Sequence, residues 1–183
     1  TSRIERLFCD HANNRLIVGY HGVCILDLNS GEFQRYTTNE GLLWNAVTDI
    51  AVNGQDIWIA SGYKGIAQIA NGTVTTFNLD NGMPDERAYA LEFANDGTLW
   101  VGASSGIMAY KSGQWTMYGS ESNARLSDIN EIEISSEGNI WAATAPLGIG
   151  RLCQFNPSTA TCDTDYQERD SQGILALTLM DTG

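Results

Sequence analysis

Trp58, Trp100 and Trp141 stand 42 and 41 residues apart, and Ile17 lies 41 residues ahead of the first of them in the same local context. The four copies read NNRLIVGYHGV, GQDIWIASGYKGI, DGTLWVGASSGI and EGNIWAATAPLGIG. A period in this range, built from short apolar strands and Gly/Asn/Asp turns, is the sequence signature of a β-propeller with one blade per copy. The period constrains the scaffold tightly and the chemistry hardly at all.

Each copy carries four strand signals separated by turn residues. In the second copy these are AVTDIAV, DIWIA, GIAQIA and TVTTFN, and in the third YALEFA, TLWVGA, GIMAY and QWTMY. Between the first and second strands sit NN, NG, NDG and SEG, which tolerate the positive φ of a tight hairpin. Gly22, Gly65, Gly106 and Gly148 open the third strands. No strand–Gly-rich loop–helix unit surrounds them, so they signal tight turning and not phosphate binding. No segment has a sustained helical period. The expected fold is all-β: a β-propeller-type array of four four-stranded antiparallel blades, at about 1–40, 41–82, 83–124 and 125–172, forming a single segment over 1–183. Residues 173–183 (GILALTLMDTG begins at Gly173) read as the first strand of a fifth, giving a partial propeller. Closed propellers have 4–8 blades. An unpaired strand edge invites association, so the remaining blades are expected from the same parent chain or from another subunit.

Ten Lys+Arg against 22 Asp+Glu give a formal charge of −12. That field repels phosphate backbones, which excludes nucleic acid as a partner class. The longest late apolar run, Ile174 to Met180, falls far short of the ~20 residues of a spanning helix, so the chain is not expected to be membrane-embedded. The N-terminus, with charged residues among Thr1 to Asp10, has no signal-peptide pattern; a signal already removed, or excision from a longer chain, accounts for that. Of the four cysteines, Cys153 and Cys162 flank the turn FNPSTAT and can staple one hairpin. Such a bridge points to an oxidising compartment. The alternative is that cysteines such as Cys24 and Cys153, at equivalent repeat positions where Ala67 and Met108 also occur, are buried free thiols. No Cys/His spacing suggests a metal, the acidic stretch DTDYQERD lacks the ligand spacing of a calcium loop, and no cofactor is expected.

The repeated indoles invite a sugar-stacking reading, but a position that alternates Trp with Ile fills space between blades. The fourth-strand pairs Phe33/Tyr36, Val74/Phe77 and Trp115/Tyr118 recur as well and read as framework.

The repeats resemble the two-component regulator propeller family, the sensor repeats of bacterial hybrid histidine kinases. The resemblance rests on Asp96-Gly97-Thr98-Leu99-Trp100-Val101-Gly102, Gly138-Asn139-Ile140-Trp141, the loops Gly41-Leu42-Leu43 and Gly82-Met83-Pro84, and the turns Asp27 to Phe33 and Asn156 to Thr159. The first copy lacks the Trp, and the fourth has Ala142-Ala143-Thr144 where Val-Gly-Thr is usual. Virginiamycin-lyase-like propellers share the Gly-x-Leu-Trp core, but their flanking Trp-Phe-Thr-Glu pattern is missing here. Family resemblance implies a periplasmic or extracellular sensor, often of oligosaccharides, with no catalytic residues to carry over.

In such propellers the fourth-to-first-strand loops open on the same face as the second-to-third-strand loops, and ligands bind there. These are also the stretches where the copies stop agreeing. Candidate ligand contacts are therefore Trp44, Asn45, Asp85, Glu86, Arg87, Arg125 and Asp128 on the former loops, with Tyr20, His21, Tyr63 and Lys64 on the latter. Stacking faces with mixed charge suit a polar small molecule or an oligosaccharide. Two other functions are compatible with the residues. One is a protein-interaction or structural module that docks with another chain. The other is a polysaccharide lyase or glycosidase, with Asp85, Glu86 and Asp128 as a carboxylate pair or His21 or Tyr63 as a base. No Ser/His/Asp order or nucleophile elbow supports catalysis.

Overall fold

Period-two alternation puts one row of apolar side chains on each face of every short strand, and the turn residues between them bring consecutive strands into antiparallel ladders. The structure, a computed structural model, describes residues 4–119, 126–144 and 150–168, without the side chains of 164–168. The expected fifth first strand over 173–183, Gly148 and Arg125 lie outside these residues.

Sixteen strands form among the described residues, in four sheets of four. The first blade is β1 (Arg6–Asp10), β2 (Arg15–Gly19), β3 (Val23–Asp27) and β4 (Phe33–Tyr36). The second is β5 (Asp49–Asn53), β6 (Asp56–Ala60), β7 (Ile66–Ala70) and β8 (Thr73–Phe77). The third is β9 (Ala88–Phe93), β10 (Leu99–Ala103), β11 (Gly106–Lys111) and β12 (Gln114–Gly119). The fourth is β13 (Ile129–Ile134), β14 (Ile140–Thr144), β15 (Gly150–Asn156) and β16 (Thr161–Glu168). Each sheet is a meander in chain order. The only helical element among the described residues is the 3-10 turn Leu79–Asn81. This is the all-β, four-bladed arrangement expected from the repeats. The turn chemistry matches too: Asn71 and Gly72 have φ of 49° and 78°, the paired positive values that a two-residue hairpin turn requires.

The chain divides after Ala88 into two compact units. In the first, Ile17 and Val23 of blade one pack with Val47, Ile50, Ile57, Ile59 and Ile69 of the stretch leading into and forming blade two. Ile17 is fully buried, so an aliphatic residue fills the repeat position elsewhere held by Trp. Polar bonds tie the same two blades. The Arg6 guanidinium donates to the Thr48 carbonyl at 2.6 Å and faces Asp49 at 3.3 Å. Asp10, 5% exposed, accepts from Asn13 at 2.8 Å and from Arg15 at 2.7 Å, and Arg15 reaches on to the Gln55 carbonyl at 2.9 Å. Burial works against the Asp10 charge, but the Asn13 and Arg15 hydrogen bonds outweigh it and lower its pKa.

In the second unit, Trp100 of β10 packs against Phe155 of β15, among Ile107, Ile129, Ile132 and Ile140. The disulfide Cys153–Cys162, with Cα atoms 5.3 Å apart, borders that cluster, so the hairpin staple exists and Cys153 is not a free thiol. Reduction, or Cys162→Ser, is expected to lower unfolding free energy by about 2–3 kcal/mol for a bridge closing so short a loop. Urea midpoints measured with and without reductant check this; coincident curves would show that the ladder alone holds the hairpin.

Three framework expectations are corrected. Trp141 is half-buried, because no described sheet covers its face of blade four. Phe33 is 70% exposed, since it sits at the outer strand on the face of blade one turned away from blade two. Cys24, a buried thiol in the alternative reading, is half-buried on that same face, where Cys9 also lies, exposed.

Candidate functional site

The loop between second and third strands in each of the first three blades is bonded to the loop that leads into the next first strand. In blade one, the Gly22 N–H donates to the Asn45 carbonyl at 2.7 Å. In blade two, Gly65 donates to the Glu86 carbonyl at 2.7 Å and Gly62 to the Ala88 carbonyl at 3.0 Å. In blade three, Asp128 donates to the Ser104 carbonyl at 2.8 Å, while the Ser104 hydroxyl donates to the Asp128 carboxylate at 3.1 Å. The two loop classes named from the sequence therefore do meet, pair by pair.

One depression on these loops belongs to blade one. About 630 Å³ in volume and open to solvent, it is lined by His21, Arg35, Thr37, Thr38, Asn39, Glu40 and Asn45. Its floor is rigid for a local reason: Thr37 donates from its hydroxyl (2.6 Å) and its N–H (2.8 Å) to the Glu40 carboxylate, and Glu40 and Leu42 donate their N–H groups back to the Thr37 carbonyl. Leu42, 5% exposed, pins the turn to the core. Those Thr37 hydrogen bonds, with Arg35 nearby, hold the Glu40 carboxyl below its ordinary value. Asn45 accepts the Thr38 N–H at 2.9 Å, and Arg35 donates to the His21 carbonyl at 3.1 Å. His21 has φ of 46° and is exposed, with its ring edge-on to Tyr20 at 5.2 Å. The wall thus offers a fixed carboxylate, a guanidinium, an imidazole and small hydroxyls, all pointing to hydrogen bonding and none to a buried apolar ligand.

The other candidates are placed differently. Trp44, 44% exposed, neighbours Asn45 in the chain but does not line the depression. Tyr63 is 65% exposed, and Lys64 beside it is exposed. Asp85 is buried, accepts the Arg87 N–H at 2.9 Å and faces the Arg87 guanidinium at 3.7 Å, so it shapes its own loop. Glu86 is half-buried and contributes its carbonyl to Gly65. Asp128 belongs to the second unit. Sequence reading missed Arg35, Thr37 and Thr38, because they sit in or beside a fourth strand that reads as framework.

Two further grooves, of about 350 and 390 Å³, border the seams inside the two units. One is lined by Arg15, Asp27, Gln34 and Tyr36, the other by Trp100, Lys111, Thr116 and Tyr118. Tyr36 and Tyr118 are repeat equivalents, so these grooves recur with the framework.

One strongly displaced carboxyl is remote from the loops. Lys111 and Thr98 hydrogen-bond Asp96 and lower it from 3.8 to about 2. A depressed folded value contributes stability above the unfolded pKa that is lost as pH falls toward 2, but both side chains are more than half exposed, so the pair is worth little. Lys111→Met is expected to return the Asp96 titration toward its ordinary value with melting temperature nearly unchanged. Carboxyl NMR titration reads it; an unmoved value would assign the shift to Thr98 alone.

No protein-family model matches the chain, and no curated protein matches it. Solved structures do. The extracellular domain of what is described as a hybrid two component system of Bacteroides thetaiotaomicron aligns with a TM-score of 0.71 at 22% identity, over 87% of this chain and 23% of its own. A second such domain from that organism gives 0.66 at 22% identity, over 94% and 24%. Virginiamycin B lyase from Staphylococcus aureus gives 0.65 at 14% identity, over 87% and 57%. The chain spans about a quarter of the length of the two extracellular domains. At these identities the likeness establishes the fold, a propeller-type array of four-stranded blades.

Proposed function

We propose that this chain is a non-catalytic, ligand-sensing propeller segment of an extracytoplasmic bacterial sensor, akin to the two-component regulator propellers, and that it recognises a polar ligand such as an oligosaccharide. The observation that carries the reading is the depression walled by His21, Arg35, Thr38, Glu40 and Asn45. The Arg35, Glu40 and Asn45 side chains are held by loop hydrogen bonds before any ligand arrives, which limits the ordering entropy of binding. The extracellular sensor domains among the structural neighbours support the sensing role. The Cys153–Cys162 bridge supports an oxidising compartment, and among the described residues no helix is long and apolar enough to cross a membrane.

Enzymatic chemistry is less well supported. Asp85 is engaged with Arg87, and Asp128 with Ser104.

Isothermal titration against a panel of neutral and acidic oligosaccharides tests the proposal. Binding by the wild-type chain is expected, weakened about tenfold, or ~1.4 kcal/mol, in His21→Asn. Asparagine keeps the positive φ of that position and removes only the imidazole. No binding across the panel, or binding indifferent to His21, would sink the site.

A further inference from the structure

The groove of about 350 Å³ between blades one and two lies at the end of the strands opposite His21, bordered by turn residues such as Asn13, Ser30 and Asn71. Its floor is apolar: Ile57 and Ile69 of blade two, both buried, and half-buried Ile25 of blade one. The charged residues that line it, Arg15, Asp27 and Glu32, all come from blade one. Arg15 and Asp27 are register partners on neighbouring strands, which puts their Cβ atoms about 5 Å apart. The Asp27 N–H donates to the Glu32 carbonyl at 2.9 Å, so Glu32 stands across the hairpin from Asp27.

The guanidinium is fixed in place by the seam itself. Arg15 Nε donates to Asp10 at 2.7 Å and Nη2 to the Gln55 carbonyl of blade two at 2.9 Å. Gln55 donates in turn to the Asn13 side-chain oxygen. Asp27 accepts the Ser30 and Asn29 N–H groups at 2.8 Å each, and these bonds keep its pKa below the ordinary value. Neither Asp27 nor Glu32 forms an ion pair among the described residues. The equivalent groove of the second unit is an internal comparison. It keeps the tyrosine, Tyr118 for Tyr36, but has Thr98 for Arg15, Lys111 for Asp27 and Gln114 for Glu32. The blade framework therefore does not itself demand a guanidinium and two carboxylates at this place.

We propose that this groove binds a free aliphatic α-amino acid, with its carboxylate on Arg15, its ammonium between Asp27 and Glu32, and its side chain on Ile25, Ile57 and Ile69. A zwitterion carries both charges one carbon apart, which suits a cation and two anions set a few ångströms from each other on one wall. Its alkyl chain suits the floor, and the volume is at the small end for a ligand pocket. Asp10 offsets the Arg15 charge, so the wall as a whole is anionic and the ammonium is the main anchor. The site shares no residue with the depression at His21 and does not rest on the oligosaccharide reading.

A methyl NMR titration of the whole chain with L-leucine tests it. Leucine is expected to move the Ile25 and Ile69 methyl resonances saturably. N-acetyl-L-leucine, without the ammonium, should bind about tenfold or more weakly, a loss of ~1.4 kcal/mol. L-leucinamide, without the carboxylate, and glycine, without the side chain, should each bind more weakly than leucine. Asp27→Asn and Glu32→Gln remove a charge and keep a hydrogen-bonding side chain at exposed positions. Each should weaken leucine about tenfold, as loss of a charged partner does, with the circular dichroism spectrum unchanged. Methyl resonances indifferent to leucine overturn the proposal. So does N-acetyl-L-leucine binding as tightly as leucine, which would mean an apolar patch only, or a leucine affinity unaltered in both variants.

Discussion

Replacing Trp100 with alanine is expected to destabilise the second unit by about 3–5 kcal/mol, the range for truncating a buried aromatic. The indole is 6% exposed and meets Phe155 of blade four edge-on at 5.9 Å and Tyr118 at 5.7 Å. Tyr118 and Phe155 also meet each other at 5.2 Å, so the three rings form one triangle across the seam. Two aromatic pairs, each worth about 0.5–1.5 kcal/mol beyond area burial, vanish with the ring. The indole also borders the seam groove, so water can partly refill the space, which places the expected loss nearer 3 than 5. Urea denaturation followed by far-ultraviolet circular dichroism gives the number. Trp44→Ala, at a side chain 44% exposed, is the control and should lose less than about 1 kcal/mol. A loss at Trp100 as small as the control would mean that the rings do not hold blades three and four together.

Gly65→Ala is expected to destabilise by about 3 kcal/mol or more, and Gly82→Ala by only about 1–2 kcal/mol. Both glycines have left-handed backbone, φ of 88° and 93°, so the conformational strain of a side chain there is shared, roughly 1–2 kcal/mol. Surroundings separate them. A Cβ on Gly65 would lie 2.0 Å from the Phe77 carbonyl oxygen, whereas one on Gly82 meets nothing within 4 Å. Backbone cannot swing aside as a flexible side chain would, so Gly65→Ala adds an overpacking cost on top of the strain. The same substitution should loosen the loop carrying Tyr63 and Lys64, because Gly65 also donates to the Glu86 carbonyl. Equal losses at the two positions, read from thermal and urea melts, would show that the carbonyl is free to move. Gly22 meets the equivalent obstacle, the Tyr36 carbonyl oxygen at 2.2 Å.

The site was only partly legible beforehand. Divergence among copies singled out two classes of loop, and the bonds from Gly22 to Asn45 and from Gly65 to Glu86 show that these loops meet. Divergence could not tell a ligand-facing side chain from one that braces its own loop. Asp85 and Arg87 looked like available charges in the sequence, yet they face each other at 3.7 Å. Arg35 lies within a strand, and only its position on the outer edge of the sheet brings it to the depression beside His21. Phe33 misled for the opposite reason: a recurring aromatic is framework only where a neighbouring blade covers its face.

By itself the sequence determined the period, the four-stranded unit, its hairpin turns and the chemistry of the seam, because alternation and turn residues act over a few neighbours along the chain. Tertiary structure decided which copy of a repeated position is buried. Ile17 is sealed, Trp100 nearly so and Trp141 only half, although all three occupy one place in the repeat. Burial depends on what stacks against a sheet, and that is a property of the neighbouring blade, not of the strand that carries the residue.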